Sequence, residues 1–145
     1  MYRVEKRFTL PIGHRLSKHG GRCKSIHGHN FSVLIGVKSP KLNENDMVID
    51  FSDLKTIVNG YLDQFDHCLM LNECDPMGAV VESVKEYIRM KRVPFEPTAE
   101  RLAEEIYYSI EKVLVEKYGS SVDSIQMDYV VVFENENSKA TYTKE

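Results

Sequence analysis

His27-Gly28-His29-Asn30-Phe31-Ser32-Val33-Leu34-Ile35-Gly36-Val37 is the stretch that decides the fold. Phe31, Val33, Ile35 and Val37 fall on alternate positions, and side chains two apart on a strand point to the same side of a sheet. His27 and His29 share that parity, so they continue the apolar face of the strand rather than its polar one. Both imidazoles can then reach one ion, whereas two polar loop residues that happen to alternate would carry no such meaning.

Upstream, Tyr2, Val4, Phe8 and Leu10 also alternate with polar residues, which predicts a strand over 2–10 that Pro11 ends. A polar, glycine-bearing stretch over 17–25 joins the two strands, and together they read as one long hairpin. His14 follows the first strand and so reaches the end of the hairpin where His27 and His29 begin the second. Three neutral imidazoles leave one coordination position open, the way catalytic zinc is usually held, whereas structural zinc is closed by four ligands.

Downstream, a turn-rich loop over 39–46 leads to a short extended piece, Met47-Val48-Ile49. Asp50 or Ser52 can cap a helix that ends near Gln64, because Phe51, Leu54, Ile57, Val58, Tyr61, Leu62 and Phe65 recur at helical steps. A weaker helical pattern covers Val80, Val81, Val84, Tyr87 and Ile88, with the basic run 89–92 suited to its C-terminal end. Pro94 and Pro97 interrupt the chain. Thr98 then caps a longer helix bearing Leu102, Ile106, Ile110, Val113 and Leu114 on one face, with Gly119 closing it. The final long strand, over 124–133, is apolar at Ile125, Met127, Tyr129, Val131 and Phe133 and becomes apolar on both faces from Val130. Such a strand needs two covers, one from the helices and one from another sheet or subunit. A turn at 135–137 returns residues 139–143 as an edge strand. The expectation is an α+β sandwich of one sheet and one helical layer, a single domain over 1–145.

Composition narrows the function. The 145 residues are 42% hydrophobic and 28% charged, ordinary for a globular chain, and no segment approaches the roughly 18 apolar residues of a membrane span. The opening Met1 to Lys6 lacks the pattern of a signal or transit peptide, which points to the cytoplasm. A net charge of -3, from 19 basic and 22 acidic residues, offers no general affinity for nucleic acid or an anionic membrane. Cys23, Cys68 and Cys74 make an odd set without a Cys-x-x-Cys pair, against both a disulfide framework and a zinc-thiolate site.

Four further features can carry chemistry. Cys23 lies between Arg22 and Lys24, and nearby cations or a metal favour a thiolate, so it is the best nucleophile or base candidate; Cys68 and Cys74 read as packing or surface residues. In Asp66-His67 a carboxylate adjoins an imidazole and can support it as general acid or base. Glu134 ends the doubly apolar strand and can accept paired N–H donors from a flat amide or amidine edge. Arg15, Lys18, His19, Arg22 and Lys24 form a cationic cluster that suits a phosphate-bearing substrate, without the glycine pattern of a P-loop.

Taken together, His14-Arg15-Leu16, Cys23-x-x-x-His27-Gly28-His29-Asn30-Phe31, the run from Met47 through Asp50-Phe51-Ser52-Asp53-Leu54-Lys55, Asp66-His67, Pro97-Thr98-Ala99-Glu100 and Glu134 resemble the 6-pyruvoyltetrahydropterin and 6-carboxytetrahydropterin synthase family over nearly the whole chain. The resemblance implies the tunnelling fold: a four-stranded antiparallel sheet with helices on one face, subunits closing a barrel in threes, and two trimers stacked as a homohexamer. It implies Zn2+ on His14, His27 and His29, with Cys23 as catalytic base, Asp66 and His67 as the rest of a proton relay, and Glu134 as the anchor of the pterin ring. Thr98 and Lys24 are implied as further substrate contacts. The substrate implied is 7,8-dihydroneopterin triphosphate. The Cys-x-x-x-His spacing and Val48-Ile49-Asp50-Phe51 are closer to the carboxy branch, which makes 6-carboxy-5,6,7,8-tetrahydropterin for queuosine and releases triphosphate and acetaldehyde. Ile12-Gly13, Cys68 and the long segment over 73–95 depart from the family pattern. Same-family alternatives are pyruvoyl formation and side-chain cleavage to 6-hydroxymethyl-dihydropterin. Different-class alternatives are a non-catalytic pterin-binding protein, disfavoured because every chemical position holds a competent residue, and an unrelated three-histidine zinc hydrolase, disfavoured because no glutamate base adjoins His27 and His29.

Overall fold

β1 (Tyr2–His14) and β2 (His27–Ser39) form the expected hairpin, and it is longer than the alternation alone marked. They are antiparallel from Tyr2 opposite Ser39 to His14 opposite His27. Pro11 does not end β1. Its carbonyl accepts the His67 N–H at 2.9 Å. Its backbone polar groups therefore point away from β2, and the missing N–H removes no bond from the hairpin ladder.

The computed structural model describes residues 1–145. After the hairpin come α1 (Phe51–Leu62), β3 (Cys68–Asn72), α2 (Met77–Glu82), β4 (Met90–Val93), α3 (Ala99–Tyr118), β5 (Gln126–Asn135) and β6 (Ser138–Tyr142). The strands make one sheet in the order β4-β3-β1-β2-β5-β6. The expected four antiparallel strands, β1, β2, β5 and β6, are present, but the sheet is six-stranded and mixed, because β3 runs parallel to both β1 and β4.

One expected element is replaced, and one unexpected strand appears, in the β3–β4 wing of the sheet. Cys68-Leu69-Met70-Leu71, too short and uniformly apolar to show a period, is β3, a strand buried on both faces. The basic run at 89–92 is not a helix end: Met90, Lys91 and Arg92 pair with Leu69, Met70 and Leu71 in β4. The helical pattern over 80–88 survives only as the six-residue α2. Met47-Val48-Ile49 forms no strand, although Val48 and Ile49 are buried in the core. Their apolar character reflects burial of a loop, not pairing.

α1 and α3 cover one face of the sheet. Asp50 accepts the Ser52 N–H at the head of α1, and Thr98 accepts the Arg101 N–H at the head of α3. Such caps contribute about 1 kcal/mol each. Leu102, Ile106, Ile110 and Leu114 of α3 are buried against Val33, Ile35, Val130 and Val132 of the sheet. Each stabilises the fold by about 1.5–3 kcal/mol through lost apolar exposure. The helices were expected on one face only, but α2 departs from that. Leu69 and Leu71 pack with Val81 of α2, whereas Cys68 and Met70 belong to the main core, so α2 covers the opposite face of the wing.

Two irregularities shape β5, one against β2 at Asp128 and one against β6 at Glu134. Between Gly36/Tyr129 and Val37/Met127 the register shifts, leaving Asp128 as the extra residue of a bulge. Met127 and Val130, of opposite parity, therefore both enter the core, and Val132 follows Val130. Glu134 then inherits the inward face, where simple alternation from Met127 would have given it the outward one. Tyr129 lies flat on Gly36: a Cβ at residue 36 would stand 2.6 Å from its ring.

Candidate functional site

The hairpin register delivers three histidines to one place. His14 faces His27 across β1 and β2, and His29 sits two residues further along β2 on the same side. The ring centroids of His14 lie 4.6 Å from His27 and 5.1 Å from His29, and those of His27 and His29 are 4.9 Å apart. Phe31 closes the inner side of the cluster, edge-on to both His14 and His29.

The outer nitrogens of His14 and His27 are already committed. His14 Nδ1–H donates to the Pro97 carbonyl at 2.8 Å, and His27 Nδ1–H donates to the Ser25 carbonyl at 2.7 Å. A proton on Nδ1 leaves a lone pair on Nε2, the arrangement seen when a backbone carbonyl orients a metal-binding imidazole. The Nε2 atoms of His14, His27 and His29 are all buried with no hydrogen-bond partner. Three unpartnered nitrogens aimed at one point are costly unless something occupies that point. Burial, ahead of the neighbouring imidazoles, holds the His14 pKa below its ordinary value of 6.5, despite the opposing bond to Pro97. His14 is thus kept as the neutral ligand form.

Glu134 completes the group. Its Oε1 lies 2.9 Å from His29 Nε2 and 3.9 Å from His14 Nε2, the former too misaligned to be a hydrogen bond. The four candidate ligand atoms lie within 4.8 Å of one another. Glu134 and His29 also line a hollow of about 670 Å³ with Arg7, Asn30, Ser32 and Asn135. The donor set, imidazole nitrogens with a carboxylate, suits zinc and other borderline divalent ions.

The other residues singled out in the sequence differ in how they relate to this centre. Asp66 accepts from His67 Nδ1 at 2.8 Å at an exposed position, and His67 has a left-handed backbone with φ of 58°. His67 shares with His29 and Cys68 the lining of a second hollow, of about 370 Å³. Burial pushes the Cys68 thiol up to about 11, which makes it a packing residue. Cys23 is half-exposed on a 3-10 turn, Arg22–Lys24, and is not among the groups that converge on the histidines. Thr98 spends its hydroxyl oxygen on the α3 cap, next to the Pro97 carbonyl that orients His14.

Two contacts were invisible in the sequence. Arg15 is not a free cation of the loop cluster: its guanidinium is forked onto buried Asp75 and also donates to the Lys24 carbonyl. Glu96 accepts from the Ser17 hydroxyl and from the backbone N–H groups of Ser17 and Lys18. Only the partner's distance in sequence hid them, since each is an ordinary charged residue in its own segment.

Comparison with known proteins agrees with this architecture. The chain is 32% identical to the 6-carboxy-5,6,7,8-tetrahydropterin synthase of Aquifex aeolicus over 99% of each chain. It is 31% identical to the protein of that name from Haemophilus influenzae, over 74% of this chain and 80% of the other. An uncharacterized protein from Wolinella succinogenes has the same fold, with a TM-score of 0.84 at 20% identity over 99% of this chain and 98% of its own. The 6-pyruvoyl tetrahydropterin synthase of Caenorhabditis elegans superposes with a TM-score of 0.67 at 20% identity, over 99% and 96%. The family model described as 6-pyruvoyl tetrahydropterin synthase matches residues 3–145, and the chain belongs to that family.

Proposed function

We propose that this chain is a zinc-dependent lyase that converts 7,8-dihydroneopterin triphosphate to 6-carboxy-5,6,7,8-tetrahydropterin with loss of triphosphate and acetaldehyde. The observation that carries the reading is the trio of buried, unpartnered Nε2 atoms on His14, His27 and His29. The names of its relatives in Aquifex aeolicus and Haemophilus influenzae support the carboxy product over the pyruvoyl one.

His14, His27 and His29 hold the ion. Bound there, zinc supplies Lewis acidity toward the side-chain oxygens of the substrate. Glu134 accepts the N–H edge of the pterin lying in the adjoining hollow, which fixes the ring against the histidines. Cys23 is the base that takes a proton from the side-chain carbon. His67, its Nδ1 held by Asp66, moves a proton through Nε2. Lys24 and the Thr98 region contact the substrate at the rim.

The sheet's edges favour assembly. β1 pairs with β3 only over Ile12–His14, which leaves its outer edge open from Tyr2 to Leu10, and β6 pairs on one side only. Open edges of this length invite a further strand. We assign them to each other in successive copies, three closing a barrel and two barrels stacking, with the chain at work in the cytoplasm in queuosine synthesis. No helix is long and apolar enough to cross a membrane.

The test is direct. Purified protein loaded with zinc is incubated with dihydroneopterin triphosphate and the products are weighed by mass spectrometry. Acetaldehyde with the 6-carboxy pterin supports the proposal; a pyruvoyl or hydroxymethyl pterin reassigns the branch; unchanged substrate with retained pterin binding points to a binding protein.

A further inference from the structure

The turn that carries Cys23 has no packing of its own. Arg22–Lys24 buries no residue and has no side-chain cap. A 3-10 turn this short is marginal unless something outside it holds it. What holds it is the pair of residues after His14. Leu16 N–H donates to the Cys23 carbonyl at 2.8 Å, and Arg15 Nη1 donates to the Lys24 carbonyl at 3.1 Å. Residues 15 and 16 thus take both carbonyls on the C-terminal side of the thiol.

Arg15 is itself fixed. Its Nε and Nη2 donate to the two carboxylate oxygens of Asp75 at 2.6 and 2.9 Å, and the Asp75 side chain is fully buried. Asp75 also accepts the Met77 N–H at 2.9 Å, which ties it to the start of α2. One planar guanidinium therefore bridges two segments, and only a fork of donors in fixed geometry can do so. The chain beyond Lys24 runs straight into Ser25, whose carbonyl orients His27.

We propose that Arg15, forked onto Asp75, is the positioning residue for Cys23, so that the segment at 73–95 acts on thiol chemistry through Asp75. The catalytic consequence rests on the reading of Cys23 as the base; the hold on the turn does not.

Two variants of the full, zinc-loaded chain test this. Arg15→Lys keeps a cation on Asp75, but a single ammonium does not span Asp75 and the Lys24 carbonyl. The double variant Arg15→Met with Asp75→Leu removes the pair together, so no lone buried charge is left to unfold the protein. Each is measured for zinc per chain, thermal midpoint, kcat and KM on dihydroneopterin triphosphate, hydrogen exchange at the Lys24 and Ser25 amides, and the rate of Cys23 alkylation by iodoacetamide. In both, zinc content stays within about two-fold while kcat falls roughly ten-fold or more, the usual cost of misplacing a reacting group. Exchange at the turn quickens and Cys23 alkylates faster.

Parental kcat, exchange and alkylation rates would overturn the proposal. So would loss of zinc and thermal midpoint together with kcat in both variants, since Arg15 would then be merely structural. Full activity in Cys23→Ala would overturn the base reading itself, and exchange at Lys24 and Ser25 would then judge the Arg15 hold alone.

Discussion

His14 and His27 are cross-strand partners at the loop end of the β1–β2 hairpin, with ring centroids 4.6 Å apart and both Nδ1 atoms hydrogen-bonded to backbone carbonyls. That relationship turns two strand residues into a preformed pair of lone-pair donors. His27→Ala therefore removes most of the bound zinc, measured as metal per chain by elemental analysis. Unchanged zinc content would exclude His27 as a ligand.

Chelation should loosen the protein even where it does not unfold it. A ligand at about 1,000 times its dissociation constant stabilises the state that binds it by about 4 kcal/mol. The thermal midpoint falls when zinc is stripped with a chelator and returns on adding zinc back. A midpoint indifferent to the metal contradicts a site made from native-state histidines.

The metal-free protein carries a pH signature at His14. Its folded-state pKa lies below the ordinary 6.5, with burial as the first cause. The unfolded chain thus takes up a proton that the folded chain resists, so stability is full above about pH 6.5 and falls as pH drops below it. Denaturant titrations of metal-free parent and His14→Gln should differ in their pH slope across that window, with the parent losing more stability on acidification. Equal pH dependence in the two would remove His14 as the source.

Cys23 and the metal separate cleanly. Cys23→Ala leaves zinc content and thermal midpoint intact, because the residue lies outside the converging ligand group. Its kcat falls by about 10²–10⁴, the range for loss of a general base. A rate within two-fold of the parent takes Cys23 out of the mechanism.

Gly36→Ala tests the bulge. Its new Cβ would meet the Tyr129 ring at 2.6 Å, and Tyr129 is also bonded through its hydroxyl to Glu5. Overpacking of this kind costs about 1–3 kcal/mol. Denaturation midpoints should drop accordingly and recover in Gly36→Ala with Tyr129→Ala. An unaffected single variant would mean that Tyr129 does not rest on Gly36.

The sequence by itself determined what is periodic or locally capped. The alternation of Phe31, Val33, Ile35 and Val37 put His27 and His29 on one inward face; Thr98 and Gly119 bounded α3; and the position of His14 predicted the third imidazole. Each of these is a neighbour effect, written within a few residues or across one hairpin. Tertiary structure alone decided the rest. Cys68-Leu69-Met70-Leu71 is a strand because two layers bury it, and a run apolar on both faces has no period to read. Glu134 joins the histidines because a bulge at Asp128 shifts the parity of β5. Arg15 meets Asp75, and His14 meets the Pro97 carbonyl, only because the sheet and helices bring distant segments into contact. Side-chain period marks which face a residue takes; which carboxylate or carbonyl waits opposite that face is settled by packing across the whole chain.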